Sequence, residues 1–163
     1  MRQFLAACAA LAFMGSPVAG HETINAPAIR SVSVVPAAGR AEIVIGVDAS
    51  VEVDDFSLEA PYRVVVDLKG EVLSMAPRYD RQARGGVTNV RAAQFSPTTV
   101  RVVIELDGAR SYDLVRKNGE VRVSVSGGSS SFSAWHSSPE LASRYATADK
   151  SASVPAVQAP APK

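Results

Sequence analysis

The middle of this chain states nearly the same pattern twice, and that duplication restricts its fold more than any other feature. Ile29 to Gly70 reads IRSVSVVPAAGRAEIVIGVDASVEVDDFSLEAPYRVVVDLKG, and Val87 to Gly127 reads VTNVRAAQFSPTTVRVVIELDGARSYDLVRKNGEVRVSVSG. Each copy opens on a short alternating strand, turns, and runs into a strand that ends in Asp48 or Asp107. Each continues through an aromatic and a Leu two residues apart, Phe56 and Leu58 in one, Tyr112 and Leu114 in the other. Each closes on a valine-alternating strand and a Gly, VVVDLKG and VRVSVSG. A β unit of this size cannot bury one apolar face alone, so two copies facing each other are the natural solution. The expectation is an all-β sandwich of two similar antiparallel sheets, produced by internal duplication.

Period-two alternation and turn residues place the strands. The first copy gives strands around 29–35, 40–47, 51–58 and 62–68, with Pro36 to Gly39 as a turn and Ala60-Pro61 as a break. The second gives 88–95, 99–106, 111–117 and 120–125, where Asn118-Gly119 is a two-residue hairpin signal. The irregular stretch Glu71 to Gly86, with Pro77 and the charges Arg78, Asp80, Arg81 and Arg84, reads as the crossover between copies and has room for one helical turn. Side chains alternate across a strand, so Val64, Val66 and Leu68 share one face of their strand, Val102, Ile104 and Leu106 one face of theirs, and aligning the repeats puts both sets inward. The same argument sets Ile43, Ile45, Val47 and Val121, Val123, Val125 inward. Arg63, Asp67, Arg91, Arg101 and Glu105 then point outward, among Val44, Val65 and Val103. Gln94 is inward by strict alternation, at a strand end where alternation breaks easily.

The flanks belong to other classes of segment. Residues 1–20 read as a signal peptide: Arg2, an apolar run Phe4 to Met14, a break at Gly15-Ser16-Pro17, and small residues up to Gly20. The expected location is therefore the periplasm. Residues 21–28 form a lead-in, 29–127 the sandwich, and 128–163 a Ser/Ala/Pro-rich linker with a short helix from Ser138 onward. No run reaches the roughly 18 apolar residues of a spanning helix. Losing Arg2 with the leader leaves sixteen basic against sixteen acidic residues, which argues against a general nucleic-acid partner. The single Cys8 leaves with the leader as well, so the mature chain carries no disulfide.

Chemistry-bearing motifs are few. HExxH, GxSxG and a phosphate-binding glycine loop are all missing from the sequence, and two scattered histidines cannot build a catalytic zinc centre. No catalytic residue, cofactor or metal is therefore assigned. His21 becomes the N-terminal residue after cleavage and, with His136, makes a copper site the weaker alternative. Trp135 lies past the repeat, where it either stacks on a ligand ring or docks onto the sheet edge.

An ordered set of segments carries a resemblance. Phe56-Ser57-Leu58 is followed by Ala60-Pro61-Tyr62-Arg63-Val64-Val65-Val66-Asp67-Leu68, then Gly86-Val87 and Val90-Arg91-Ala92-Ala93-Gln94, then Thr99-Val100-Arg101-Val102-Val103-Ile104-Glu105-Leu106. In this order the chain resembles the AMIN domain, a bacterial envelope module. The resemblance implies two similar sheets packed face to face and a non-catalytic role in binding peptidoglycan. It also implies a place at the front of a type IV pilus secretin or an N-acetylmuramoyl-L-alanine amidase. Glycan strands and peptide stems offer hydroxyls, amides and carboxylates, which Arg, Asp, Glu and Gln side chains can engage. The candidate peptidoglycan-binding residues are Arg63, Asp67, Arg91, Gln94, Arg101 and Glu105. A protein-docking role at the sheet edges is the rival reading.

Overall fold

The computed structural model describes residues 28–48, 51–74, 76–117 and 119–138. The leader, His21, the helix expected from Ser138 and the Ala/Pro tail lie outside the described residues or at their limit. Ten strands form: β1 Ala28–Ala37, β2 Arg40–Val47, β3 Glu52–Glu59, β4 Tyr62–Lys69, β5 Val72–Leu73, β6 Val87–Ser96, β7 Thr99–Leu106, β8 Tyr112–Lys117, β9 Glu120–Ser126 and β10 Trp135–His136. The eight long strands fall where alternation puts them, β2 and β7 to the residue. The crossover is the exception. No helical turn forms among its described residues; β5 lies parallel to β1, and Arg84 bridges back to Val87. Pro77 and the paired glycines Gly85 and Gly86, both at positive φ, work against a helix there.

The strands make two sheets, one ordered β10-β1-β2-β9-β8 with β5 beside β1, the other β3-β4-β7-β6. The two copies do not form one sheet each. The first hairpin of one copy joins the second hairpin of the other in both sheets, through β2–β9 and β4–β7. Exchanging β1 to β4 with β6 to β9 turns one sheet order into the other, so the molecule has an internal pseudo-dyad. This arrangement differs from two separate copies stacked together. It completes four strands per sheet from two-strand hairpins, which are marginal by themselves.

The interior is dry and aliphatic. Val32, Val34, Ile43, Ile45, Val64, Val66, Leu68, Val90, Val100, Val102, Ile104, Val121, Val123 and Val125 are all essentially buried. Each such side chain contributes roughly 1.5–3 kcal/mol on burial, offset by the entropy of ordering the chain.

One flank of the sandwich is closed by the crossover and by the segment after Gly127. Ser137 donates its backbone N–H to the Val32 carbonyl at 2.9 Å, and Val34 faces Trp135 across β1 and β10. Trp135 therefore docks on the sheet edge, its ring 4.8 Å from that of Tyr79 in an edge-on contact. Arg84, only 6% exposed, ties the layers together. It forks onto Asp80 at 2.6 and 2.7 Å and donates to the Ser133 carbonyl at 2.9 Å. The folded unit thus continues past Gly127. Gly85 and Gly128 make this possible: a Cβ on Gly128 would stand 2.0 Å from the Gly85 carbonyl oxygen.

Candidate functional site

The outer face of the four-stranded sheet gathers the chemistry. Its register builds three rows across β3, β4, β7 and β6: Leu58, Arg63, Glu105, Asn89; Phe56, Val65, Val103, Arg91; Asp54, Asp67, Arg101, Ala93. Five of the residues singled out in the sequence, Arg63, Asp67, Arg91, Arg101 and Glu105, therefore share one surface. Alternation alone delivers this, because β4 and β7 pair without a register shift.

An apolar strip runs through the charges. Val65 is 3% exposed although it faces outward. Phe56 and Leu58 beside it are each 40% exposed and Phe95 is 60% exposed. Arg101 forks onto Asp67, Nε to Oδ1 and Nη2 to Oδ2, both at 2.7 Å. The hydrogen bonds to Asp67 push the Arg101 guanidinium further above its ordinary value, so it stays charged. Its guanidinium carbon lies 3.7 Å from the centre of the Phe95 ring and 5.6 Å from that of Phe56. Such contacts hold a cation by the ring's negative face. The ion pair is thus a rigid floor between two exposed rings. Arg91 pairs with Glu105 at 3.0 Å, and the Asn89 amide donates to the other Glu105 oxygen at 3.2 Å. Arg63 forms no ion pair among the described residues; its Nε reaches only the Pro61 carbonyl, at 3.4 Å.

Gln94 stands apart from these five. It pairs with the inward Val100 at the sheet end, and its amide is taken up by backbone. The Leu73 N–H donates to its Oε1 at 2.8 Å, and its Nε2 donates to the Ser96 carbonyl at 2.7 Å and the Thr99 carbonyl at 3.2 Å. This side chain staples the crossover to β6 and β7. Phe95, by contrast, was not singled out in the sequence. The signal was available in the alternation, which puts it two residues after the outward Ala93.

The equivalent face of the other sheet has diverged. Where Asp67 and Arg101 stand, its register places Ser124 and Glu42; where Val65 stands, it has Arg122. Arg122 reaches Glu120 at 2.7 Å and Glu42 at 3.0 Å, in a shallow trough of about 260 Å³ shared with Lys117 and Asp113. The duplication kept the inward rows and changed the outward ones.

No group of three or more His, Cys, Asp or Glu side chains suited to a metal occurs among the described residues. His136 sits with its Nδ1 2.8 Å from the Ser33 hydroxyl, and burial lowers its pKa.

The duplicated sandwich has a dry interior and carries its polar and exposed aromatic side chains on its outside, chiefly on the four-stranded sheet. The family model of the AMIN domain matches residues 31–127, more than half of the chain. The chain belongs to the AMIN domain family, whose members are non-catalytic modules that target proteins to peptidoglycan in the bacterial envelope. Among curated proteins the chain has no match.

Proposed function

We propose that this protein binds peptidoglycan in the periplasm through the outer face of the four-stranded sheet, and that it positions a type IV pilus secretin or a cell-wall amidase there. The supporting observation is the strip Phe56–Val65–Val103 with Phe95 over Arg101, edged by Arg63, Arg91, Glu105 and Asn89. A sugar ring has an apolar face and a rim of hydroxyls, and this surface offers exposed rings with polar groups beside them. A formal net charge of only +1 suits a glycan better than a nucleic acid. The Ala/Pro-rich composition after Ala146 has the character of a spacer and favours a secretin as the host.

The test is co-sedimentation of the purified protein with isolated sacculi. Wild-type protein is expected in the pellet. Phe95→Ala combined with Arg63→Ala is expected to leave it in the supernatant with an unchanged melting temperature. Full retention of that double variant in the pellet would remove this face as the site.

One observation favours a second reading. Strand β3 pairs with β4 over Glu52 to Glu59 without a bulge, and its other edge has no strand partner among the described residues. Such an edge accepts an extended segment of another protein. Cross-linking that persists in cells after sacculus digestion would favour protein docking over murein binding.

A further inference from the structure

The two flanks of the sandwich are finished differently. On the flank closed by the crossover, β1 is paired by β10 and β5, and β6 breaks register with β7 between Val87 and Asn89 and again between Gln94 and Ser96. Pairing and bulges both blunt a sheet edge. On the opposite flank β3 and β8 are regular. They pair with β4 and β9 along their whole length without a shift, and the outer edge of each has no strand partner among the described residues. The Tyr112 hydroxyl donates to Asp55 Oδ2 at 2.8 Å from one sheet to the other, so these two edges lie side by side.

Their charges differ in sign. Strand β3 carries Glu52, Asp54, Asp55 and Glu59 and no base; Lys69 of β4 bonds to Glu52 and Asp54. Strand β8 ends on Arg116 and Lys117, both exposed and neither in an ion pair with another described residue. Glu120, opposite Lys117 in the register, is taken by Arg122. The two edges also run in opposite directions. Strand β3 starts where β2 ends, and there the Val47 N–H donates to the Gly119 carbonyl in the turn after β8. Glu52 to Asp55 therefore stand at the same end of the flank as Arg116 and Lys117.

We propose that this flank is the interface with a second copy of the chain, β3 of each copy pairing with β8 of the other. A two-fold axis parallel to the strands turns the sandwich over without reversing its ends. It sets β3 of one copy beside β8 of the other, twice, and each join is antiparallel because β3 and β8 run oppositely. The same operation puts the acidic end of β3, Glu52 to Asp55, next to Arg116 and Lys117 of the second copy. The rival axis, perpendicular to the sheets, sets β3 against β3 and acid against acid, which like-charge repulsion opposes. Parity carries across each join. Phe56 and Leu58 face outward on β3 and Val115 outward on β8, all three exposed in the single chain, so they meet on one outer surface as an apolar seam. Each sheet then continues from one copy into the other, β6-β7-β4-β3 followed by β8-β9-β2-β1. The open edge of β3 thereby gains a definite occupant.

Analytical ultracentrifugation of the purified protein over a concentration series tests this, with circular dichroism checking the fold of each variant. Wild-type protein is expected to dimerise. Glu52→Lys with Asp54→Lys makes that end of β3 basic like β8, and Arg116→Glu with Lys117→Glu makes the end of β8 acidic like β3. Each double variant is expected to raise the dissociation constant roughly tenfold or more. An equimolar mixture of the two is expected to restore association, because every acidic edge then meets a basic one. The four positions are exposed, so the fold is kept. A wild-type chain still monomeric at roughly 1 mM would overturn the interface. So would a dimer that neither reversal weakens, or a mixture that stays monomeric. A monomeric chain whose β3 cross-links to a different protein would give the edge to that partner and overturn the proposal as well.

Discussion

Replacing Arg84 by Met tests whether the folded unit is locked by one buried cation. Five contacts vanish: two to Asp80 at 2.6 and 2.7 Å, and one each to the Ser133 carbonyl at 2.9 Å, the Tyr79 hydroxyl at 3.1 Å and the Gln82 carbonyl at 3.2 Å. Removing one member of a buried ion pair costs about 3–5 kcal/mol, mostly from the partner left uncompensated. Asp80 is one third exposed and keeps part of its hydration, and Tyr79 retains its 2.7 Å bond to Gln82, so the lower end applies. A loss of about 3 kcal/mol lowers the melting temperature of a domain this size by roughly 10–20 °C. The loss should also be local at first, because Arg84 joins the crossover to Ser133 in the segment that carries Trp135. Trp135 is the sole tryptophan, so its emission reports that segment alone. Thermal melts followed by circular dichroism and by tryptophan emission are expected to separate in the variant, with emission shifting red first. Arg84→Lys, which keeps the charge without the fork, should fall between. A variant that melts within a few degrees of wild type, with Trp135 emission unchanged, would refute the lock.

Three further substitutions, at Glu71, Asp80 and Gly128, have defined outcomes. Glu71 is 1% exposed, its Oε2 has no hydrogen-bond partner, and burial, aided by the charge of Asp48, raises its pKa. A raised carboxyl pKa means the folded state holds the proton more tightly, so ionised Glu71 destabilises the fold at neutral pH, and stability is regained as pH falls through the folded pKa. Glu71→Gln should therefore melt higher than wild type at pH 7, by an amount near the roughly 1–3 kcal/mol penalty of an unsatisfied buried group, with the gap closing toward pH 4. Asp80 works in the opposite sense: Arg84 holds its carboxyl below the usual range, so its contribution is present at neutral pH and lost on strong acidification, a slope that Asp80→Asn should remove from the melting-temperature profile. Gly128→Ala forces a Cβ against the Gly85 backbone at 2.0 Å and is expected to lower the melting temperature while leaving sacculus binding intact.

Much of the candidate site was legible because it depends only on parity. Arg63, Asp67, Arg101 and Glu105 lie on regular strands, and period two assigns each a side wherever β4 and β7 sit. Gln94 escaped the argument because its amide is filled by carbonyls and an N–H from three separate segments, brought together by the sheet end and the crossover. Arg84 read as one of several charges in an irregular loop; in the fold it lies against the Tyr79 ring and donates to the Ser133 carbonyl, contacts the local pattern does not show. The pairing of Arg101 with Asp67 was equally hidden, since it requires β4 and β7, from different copies, to be neighbours.

Taken alone, the sequence determined the strands, their inward rows and the closed aliphatic interior, because alternating burial and turn chemistry act over a few residues at a time. Tertiary structure decided which hairpin joins which sheet, how the segment after Gly127 seals one flank, and which strand edges the described residues leave without a partner on the other. Those outcomes depend on contacts between residues far apart in the chain. In a duplicated sequence the two copies offer each strand nearly equivalent partners, so local pattern cannot choose among them; the packing of the whole sandwich does.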